Sequence, residues 1–526
     1  MNIKETLHDF FTKGKISMGL GKSLANITDD PRVNLPVSEI ERIREDLRYY
    51  RNDMKDIKFY NSKNELRQRP ISSLAVTRQA ARQLASLIFN EGAAISVQPK
   101  DSSDNDELDT FIDKVLTDNL FKLKYEEYLE TGIVTGGFAI RPYIENDKIK
   151  LAWIRADQFV PLQSNTNDIQ SAVIVNKTTV SENNKNVWYS LLEFHEFSEV
   201  DHTETVTNEL YRSETPGEIG KQVPLGMLDQ YEGLSEQAVI NGLVRPTFTY
   251  FKTPGKNNQS IESPLGVGIV ENSKHIIDAI NMTHDQYVRE LKLGKRRIAI
   301  SAEMLKPRTA HAGDEMQGHP EFDPDDDVVM QVGETKDGKG MIEDLTSPLR
   351  TVQYTTALTS FLHELENNIG LSQGTLSSDG AQQDKTATEV VSDNSEAYRT
   401  RSSYITQVQK NITELIISIV ELGTKDNLFD NGAPLEFDLT QEQLDIHVKV
   451  EDGVFVDKDA QAQSDMLAVQ QQIMPKKVFL QRNYGLSDDD ADKWLSMVQG
   501  DQPQSDVMSA EQSALLGGSD GGSDDE

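Results

Sequence analysis

The sequence predicts an α+β protein built from several structural regions, mainly helical with small β-sheets. The chain has 526 residues, which is more than one hydrophobic core normally holds, so we expect about two to four regions. Apolar residues recur at helical spacing in much of the first 131 residues and again after residue 264. Between these stretches, from Gly136 to Tyr211, short apolar or alternating runs are separated by Asn, Asp and Gly, which is typical of strands.

The first region extends from residue 1 to about residue 263. Helical spacing is found in three segments, Ser38–Tyr50, Ile71–Phe89 and about Leu108–Thr131. Strand patterns follow in five, Phe138–Tyr143, Lys148–Ile154, Ala172–Val175, Val187–Phe197 and Glu204–Leu210. Pro254–Ser263 is polar and rich in Gly, Asn and Ser, which predicts a linker.

Two helices with an insertion between them follow the linker. The spacing predicts a helix over Gly268–Lys292 and a second over about Leu349–Ile369, which Gly370 would end as a left-handed cap. The insertion, Leu293–Asp344, contains two predicted strands. These strands are Arg297–Ser301 and Val328–Val332.

A polar loop and a very long helix come next. Leu371–Lys385 consists mostly of Gly, Ser, Gln and Asp, with almost nothing to bury. Thr386 and Glu389 form a capping-box pattern, in which the threonine hydroxyl accepts from the third helical amide and the glutamate reaches back. The helix that starts there would end at Gly423, after about 37 residues or roughly 55 Å. A helix of this length normally spans a domain or an assembly.

The remaining chain predicts one strand, a helical region and a disordered tail. The strand is Leu444–Val450, and the helical region extends from about Lys458 to Val498. Residues 501–526 contain seven acidic and no basic residues and end in Gly, Ser and Asp. Such a composition cannot bury a core, so we expect this tail to be disordered.

The chain is strongly acidic, with 86 Asp and Glu against 53 Lys and Arg and a net charge of -33. Such a surface repels phosphate, which argues against tight binding to a nucleic-acid backbone outside local basic patches. It would equally suit a conduit, because a polyanion slides most easily past walls that do not hold it. The densest basic cluster is Lys295, Arg296 and Arg297. It is either a solvated helix C-terminus, favoured by the helix dipole, or a contact with acidic partners or DNA.

Several classes of protein are disfavoured by what the sequence lacks. The sequence contains no cysteine, which excludes disulfides and thiolate chemistry. Residues 1–13 lack the apolar core of a signal peptide, and no apolar run reaches the roughly 20 residues that span a bilayer. We therefore expect a soluble protein without membrane contact.

No motif predicts an active site, a metal or a cofactor. Gly19–Ser23 ends like a phosphate-binding loop, but Ile16 stands where that loop needs glycine and no buried strand precedes it. Asp323–Asp327 and Asp488–Asp490 are acidic runs, better explained as solvated loops or helix N-termini than as cation sites. The nine histidines show no metal-ligand spacing beside a glutamate. We therefore expect a protein that is not an enzyme.

The order of predicted elements, together with three groups of motifs, resembles the portal proteins of tailed phages, most closely those of siphophages that infect Gram-positive bacteria. No motif alone is a catalytic signature, and the likeness rests on their ordered combination over nearly the whole chain except the tail. The motifs are Gly136–Tyr143 with Ala156–Leu162; Gly370–Ser377 with Lys385–Val390; and Gly453–Phe455 with Lys476–Leu480 and Asn483–Ser487.

The resemblance implies the portal fold, with its wing, stem, clip and crown, arranged in a ring of twelve subunits at one capsid vertex. The ring would be the channel for DNA packaging and ejection. Its partners would be the terminase large subunit, a head-tail adaptor, the major capsid and scaffold proteins, and double-stranded DNA bound without sequence specificity. The protein would assemble in the host cytoplasm and remain in the virion. The implied regions are wing 1–263 and 386–457, stem 264–292 and 345–370, clip 293–344, tunnel loop 371–385, crown 458–500 and acidic tail 501–526.

The implied tunnel loop supplies the candidate site. Twelve copies projecting inward would form a collar of Ser, Gln and Asp that touches DNA without gripping it. The residues are Ser372, Gln373, Ser377, Ser378, Asp379, Gln382, Gln383, Asp384 and Lys385. The loop could instead be a plain connector. The alternatives for the whole chain are a non-portal capsid assembly or scaffold protein that uses the long helix, and an enzyme such as the packaging ATPase or a nuclease.

Overall fold

The computed structural model describes residues 22–61, 63–90, 92–99, 106–162, 168–294, 298–300, 342–344, 348–377, 387–436, 444–450, 458–484, 486 and 488–500. The chain divides into two compact units, 1–451 and 452–526. The first combines helices with several antiparallel sheets, and the described part of the second is helical. The predicted α+β class is confirmed. No helix within the described ranges is long and apolar enough to cross a membrane.

Seven helices are described in the first unit and three in the second. In the first unit they are α1 Val37–Tyr50, α2 Val76–Ile88, α3 Asp106–Asp118, α4 Phe121–Thr135, α5 Lys274–Leu293, α6 Thr351–Ile369 and α7 Ala387–Gly423. In the second unit they are α8 Lys458–Gln470, α9 Lys476–Tyr484 and α10 Asp488–Gly500. The predicted 37-residue helix is confirmed, as is its end at Gly423.

The predicted single helix over Leu108–Thr131 is wrong, because the chain breaks between α3 and α4. Leu120 has a left-handed backbone with φ of 51°, which a continuous helix cannot contain. The Asn119 side chain donates to the carbonyl of Ile149 and accepts from the amide of Leu151. These bonds join the break to a neighbouring strand, and sequence spacing does not reveal them.

Sixteen strands are described, and they form five antiparallel sheets. The largest has the order β1-β11-β10-β9-β8-β7, with β12 also paired to β10, and the others are β13-β5-β6, β2-β3, β16-β4 and β14-β15. The strands are β1 Ser23–Leu24, β2 Ile57–Tyr60, β3 Leu66–Arg69, β4 Ala94–Pro99, β5 Gly137–Glu145, β6 Lys148–Arg155, β7 Phe159–Pro161, β8 Ser171–Glu182, β9 Lys185–Ser198, β10 Thr203–Ser213, β11 Gly220–Val223, β12 Gln237–Asn241, β13 Thr249–Lys252, β14 Ile298–Ile300, β15 Ile342–Asp344 and β16 Leu444–Lys449. All five strands predicted between Gly136 and Tyr211 are present.

Residues 254–263 lack regular structure as predicted, but they are packed against α1 rather than serving as a free linker. The buried Asn257 side chain donates to the Glu39 carboxylate at 2.8 Å, and the Ser263 hydroxyl donates to the same group at 3.0 Å. Arg42 also binds Glu39 and reaches the Gly266 carbonyl. The polar composition of this segment therefore serves a buried network that precedes α5.

The main core gathers one face of α7 with α2, α4 and the start of α5. Its members from α7 include Val408, Ile412, Leu415 and Ile419, all fully buried. Asn411 lies within this face, and it accepts a hydrogen bond from the Tyr125 hydroxyl and donates to Thr249. The long helix thus packs on the small sheet through β13 as well as on other helices.

A second core lies under the large sheet and contains a buried charge cluster. The His195 ring on β9 lies between two carboxylates, with Nδ1 2.7 Å from Glu204 and Nε2 2.8 Å from Glu193. Burial disfavours the charged ring, but the hydrogen bonds that the ring donates to Glu193 and Glu204 outweigh this effect and raise the His195 pKa. Burial likewise works against the Glu193 carboxylate, but Arg141 and His195 lower its pKa to about 2.

This cluster predicts that stability falls as the pH rises. The pKa of His195 is raised on folding, so its contribution is complete below the unfolded value of 6.5 and is lost above it. One proton gives at most about 1.4 kcal/mol per pH unit. Urea denaturation between pH 6 and 9 should show this slope, and His195→Gln should remove it. The exposed His202→Asn serves as the control, and an unchanged slope in His195→Gln would contradict the assignment.

Candidate functional site

The candidate site lies on the antiparallel helix pair α5 and α6, which are the two helices predicted as the stem. Arg350, just before α6, donates to the Glu290 carboxylate near the end of α5, with 3.1 Å between Nε and Oε1. The Arg350 guanidinium lowers the pKa of Glu290 to about 2. One helical turn away, the rings of Tyr287 and Tyr354 are in contact, with centroids 5.5 Å apart. At the opposite end, both helices enter the main core.

Helix α5 begins later than predicted, at Lys274 rather than Gly268. The Ile269 amide donates to the Ile133 carbonyl in the last turn of α4, so this stretch binds another helix instead of starting its own. Gly268 lies so close to α4 that a Cβ there would be 1.7 Å from the Val134 oxygen. The site is thereby fixed to the body of the protein.

The first thirteen residues of α6 contain no acidic or basic residue other than histidine, in a chain whose net charge is -33. One open face of this helix carries hydroxyl groups and one histidine: Thr355, Thr356, Thr359, Ser360 and His363. This surface offers hydrogen bonds without a fixed charge. It can contact a polyanion with neither strong repulsion nor strong attraction.

Helix α6 ends at Gly370 in the predicted left-handed conformation, with φ of 70°. The Leu371 amide donates to the Glu366 carbonyl, as in a Schellman cap. A Cβ on Gly370 would lie 2.1 Å from the Thr400 hydroxyl, so the cap also lets the end of α6 approach α7 closely. The cap prediction is confirmed.

The expectation that the following loop has almost nothing to bury is wrong for residues 371–377. Leu371 is 1% exposed and belongs to the main core. The Glu366 carboxylate, fully buried in the last turn of α6, accepts from the backbone amides of Gly374 at 3.1 Å and Ser377 at 2.9 Å. It also accepts from the Leu376 amide and the Ser377 hydroxyl. One buried carboxylate therefore organises the first half of the loop.

Glu366 is the residue of the candidate site that sequence reasoning missed. A polar residue beside Leu365 fits an ordinary amphipathic helix, so its spacing gives no warning. The available signal is its position, because the helix dipole disfavours an acidic residue in the last turn. A glutamate there, followed by a loop rich in Gly and Ser, indicates a carboxylate that binds backbone amides.

The described loop residues differ in accessibility. Gln373 is exposed and donates to the Asn367 side chain, and Ser372 is half-buried, its carbonyl accepting from Thr375. Ser377 is only 2% exposed, because its hydroxyl is directed to Glu366, so in the single chain this side chain does not face solvent as predicted. The other tunnel-loop candidates, Ser378, Asp379, Gln382, Gln383, Asp384 and Lys385, lie outside the described residues.

The other sequence candidates are placed only in part. The basic cluster Lys295, Arg296 and Arg297 and the capping-box Thr386 lie outside the described residues, as does the side chain of Glu389. The predicted strand Arg297–Ser301 corresponds to β14, which pairs with β15, whereas Val328–Val332 is not described. Lys22, from the rejected phosphate-binding motif, lies 3.5 Å from the Glu209 carboxylate next to strand β1. Among the described residues, no group of His, Asp and Glu could hold a metal ion.

Comparison with known proteins identifies the family. A sequence profile described as "Phage portal protein, SPP1 Gp6-like" matches residues 37–504. No curated protein sequence matches the chain. Among solved structures, a chain from the virion of a native gene transfer agent (GTA) particle is 9% identical with a TM-score of 0.40, covering 85% of this chain and 99% of that one. A chain from the neck of an empty GTA particle is 11% identical with a TM-score of 0.39, covering 76% and 90%.

The family is assigned from the sequence profile alone, because TM-scores near 0.40 do not establish a common fold. The profile begins at the first residue of α1 and includes the helix pair, the loop, the long helix and α8–α10. Only residues 1–36 and 505–526, the latter being most of the acidic tail, lie outside the match. The chain therefore belongs to the SPP1 Gp6-like family of phage portal proteins and has a phage portal function.

Proposed function

We propose that this portal protein forms a ring of twelve copies at one capsid vertex of a siphophage that infects a Gram-positive bacterium. Double-stranded DNA would enter and leave the capsid through the ring. The observation that carries this proposal is the charge-free hydroxyl face of α6 leading into the loop anchored by Glu366. A surface of this kind suits contact with moving DNA, because it offers hydrogen bonds without charge attraction.

The proposed regions follow the order of the elements along the chain. Helices α5 and α6 would form the stem, with the tunnel loop 371–385 after them, and the insertion 293–344 would form the clip. Residues 1–263 and 386–457 would form the wing, and the helices of 458–500 the crown. The cluster Lys295, Arg296 and Arg297 would then lie at the clip, where it could bind acidic partners or DNA.

The portal family is structural rather than enzymatic, so a separate ATPase would move the DNA. We propose that the terminase large subunit binds first, during packaging, and that a head-tail adaptor replaces it. Major capsid and scaffold proteins would surround the wing. Assembly would take place in the host cytoplasm, and the finished ring would remain in the virion.

Negative-stain class averages and native mass measurement of the purified chain test the ring. Closed rings with a central opening and a mass of about twelve subunits are the expected result. A stable monomer under all conditions would contradict the proposal. A rod-shaped dimer in small-angle scattering would instead favour an assembly or scaffold protein.

Removal of residues 378–383 separates the proposed tunnel loop from ring assembly. The anchor formed by Glu366 and Ser377 remains in this variant, so we expect rings of normal mass and a loss of DNA packaging or retention. Replacement of the same six residues by Gly and Ser keeps the loop length and serves as the control for chemistry. Failure of the deleted chain to form rings would show that the segment is structural.

A further inference from the structure

Strands β2 and β3 form a hairpin that belongs to none of the other sheets. Ile57 pairs with Arg69 and Tyr60 with Leu66, and within the part of the chain that the structure describes each strand is paired only with the other. We call residues 57–69 the basic hairpin, because they contain four basic residues and one acidic residue in a chain of net charge -33. An isolated two-stranded hairpin is only marginally stable in water.

One face of the basic hairpin is exposed. Its side chains are Lys58, Tyr60, Leu66 and Gln68, which alternate with the half-buried Ile57 and Phe59. Tyr60 is 67% exposed and the directly opposite Leu66 is 59% exposed. An apolar cross-strand pair on a hairpin with open edges is a typical contact surface for another protein.

The tip of the basic hairpin is ordered by its own side chains. The Asn61 side-chain oxygen accepts from the amides of Lys63 and Glu65, at 3.0 and 2.9 Å. Asn64 has the left-handed backbone that asparagine tolerates, with φ of 59°. These bonds hold Lys63 and Glu65 to Asn61, next to the exposed pair.

The base of the basic hairpin is fixed to α5. Arg69 donates to both oxygens of Asp285 at 2.6 Å, and this pairing lowers the Asp285 pKa to about 2. The Ser72 amide donates to the same carboxylate, and the Ser72 carbonyl lies 2.7 Å from His284 Nδ1. The Leu74 amide donates to the Asn281 side chain. The hairpin thus leaves the body of the protein from a rigid point on the helix pair.

We propose that the basic hairpin is an intersubunit arm that lies on the acidic surface of a second copy of this chain. Two features select this occupant. Arg67 and Arg69 are paired with Glu65 and Asp285, but Lys58 and Lys63 leave the hairpin with a charge opposite to that of the chain as a whole. Contact between copies is therefore electrostatically favourable. Tyr60 and Leu66 need an apolar contact and the open strand edges need backbone partners, which a folded protein provides better than a phosphate backbone does. The inference rests on the proposed ring.

The absence of cysteine from the chain allows a direct test. Leu66→Cys labelled with a benzophenone maleimide carries one photo-cross-linker at the hairpin face. The matched control is Val200→Cys, which is 90% exposed in the turn between β9 and β10. In purified rings, illumination should give a covalent dimer from the Leu66 position at a yield at least about fivefold above the control, because a neighbouring copy is held beside it.

Charge reversal provides a second measurement. The double variant Lys58→Glu and Leu66→Glu should shift native mass spectra from rings towards monomers. Lys185→Glu with Val200→Glu makes the same charge change at two other exposed positions and should leave the rings intact. An equal shift from rings to monomers in the two double variants would contradict the proposal that the basic hairpin is an intersubunit arm.

The outcomes separate this inference from the proposed ring. Rings that form normally but give cross-links only within one chain, or none, would overturn the intersubunit arm alone. Normal rings of the hairpin double variant that lose DNA would assign the hairpin to DNA and also overturn it. If the unmodified chain forms no ring, the proposed function fails, and the arm fails with it.

Discussion

Gly136→Ala is expected to lower the free energy of unfolding by about 4 kcal/mol or more, which is near the upper end for a single substitution. Gly136 ends α4 with φ of 96°, a conformation that side chains rarely adopt. A Cβ there would lie 2.2 Å from the backbone oxygen of Gly266, which cannot move aside as a flexible side chain could. The same contact joins α4 and β5 to the segment that leads into α5.

Gly217→Ala is the matched control for this effect. Gly217 has nearly the same φ, 94°, but no atom lies within 4 Å of the position its Cβ would take. It should therefore incur only the backbone strain, about 1 kcal/mol. Urea denaturation of both variants measures the difference. Equal losses of stability would show that the contact with Gly266 is not tight.

Glu366→Ala is expected to release the first half of the loop. The substitution leaves the amides of Gly374, Leu376 and Ser377 without their acceptor, at a local cost of about 3 kcal/mol. This corresponds to roughly a hundredfold faster hydrogen exchange of those three amides if they exchange by local opening. Hydrogen exchange followed by mass spectrometry measures it directly. DNA packaging should fall together with the protection.

Two variants control this prediction. Glu364→Ala removes an exposed carboxylate from the same helix and should leave loop exchange unchanged. Glu366→Gln keeps one acceptor oxygen and should give a rate of amide hydrogen exchange between those of the unmodified chain and Glu366→Ala. If Glu366→Ala exchanged at the rate of the unmodified chain, the carboxylate would not be the anchor of the loop.

The sequence was most informative where structure is local. The length and end of α7, the left-handed cap at Gly370 and the five central strands were predicted, because each depends on spacing or on one residue's backbone preference. The order of these elements along the chain also indicated the portal family. The predictions were wrong where a contact with a distant segment overrides the local pattern. At Asn119, for example, hydrogen bonds to β6 accompany the break between α3 and α4, which the spacing had predicted as one helix.

At the candidate site, too, the sequence predicted some features and tertiary contacts decided others. The sequence determined that a polar loop follows α6, but tertiary contacts decided which of its residues are accessible. Ser377 is directed inward because Glu366 is buried in the helix before it, and the pattern of polar residues does not distinguish inward from outward. The hydroxyl groups of α6, in contrast, recur at helical spacing, so the sequence already places them on one face of that helix.

The sequence by itself determined the α+β class, the long helix and the portal family, because these follow from periodicity, composition and the order of motifs. Tertiary structure alone decided the Glu366 anchor, the His195 cluster and the tether of the basic hairpin to Asp285. Each of these joins a buried or partly buried charge to partners on another segment. Periodicity shows whether a residue faces a core, but the partner of a charge is fixed only when the chain has folded.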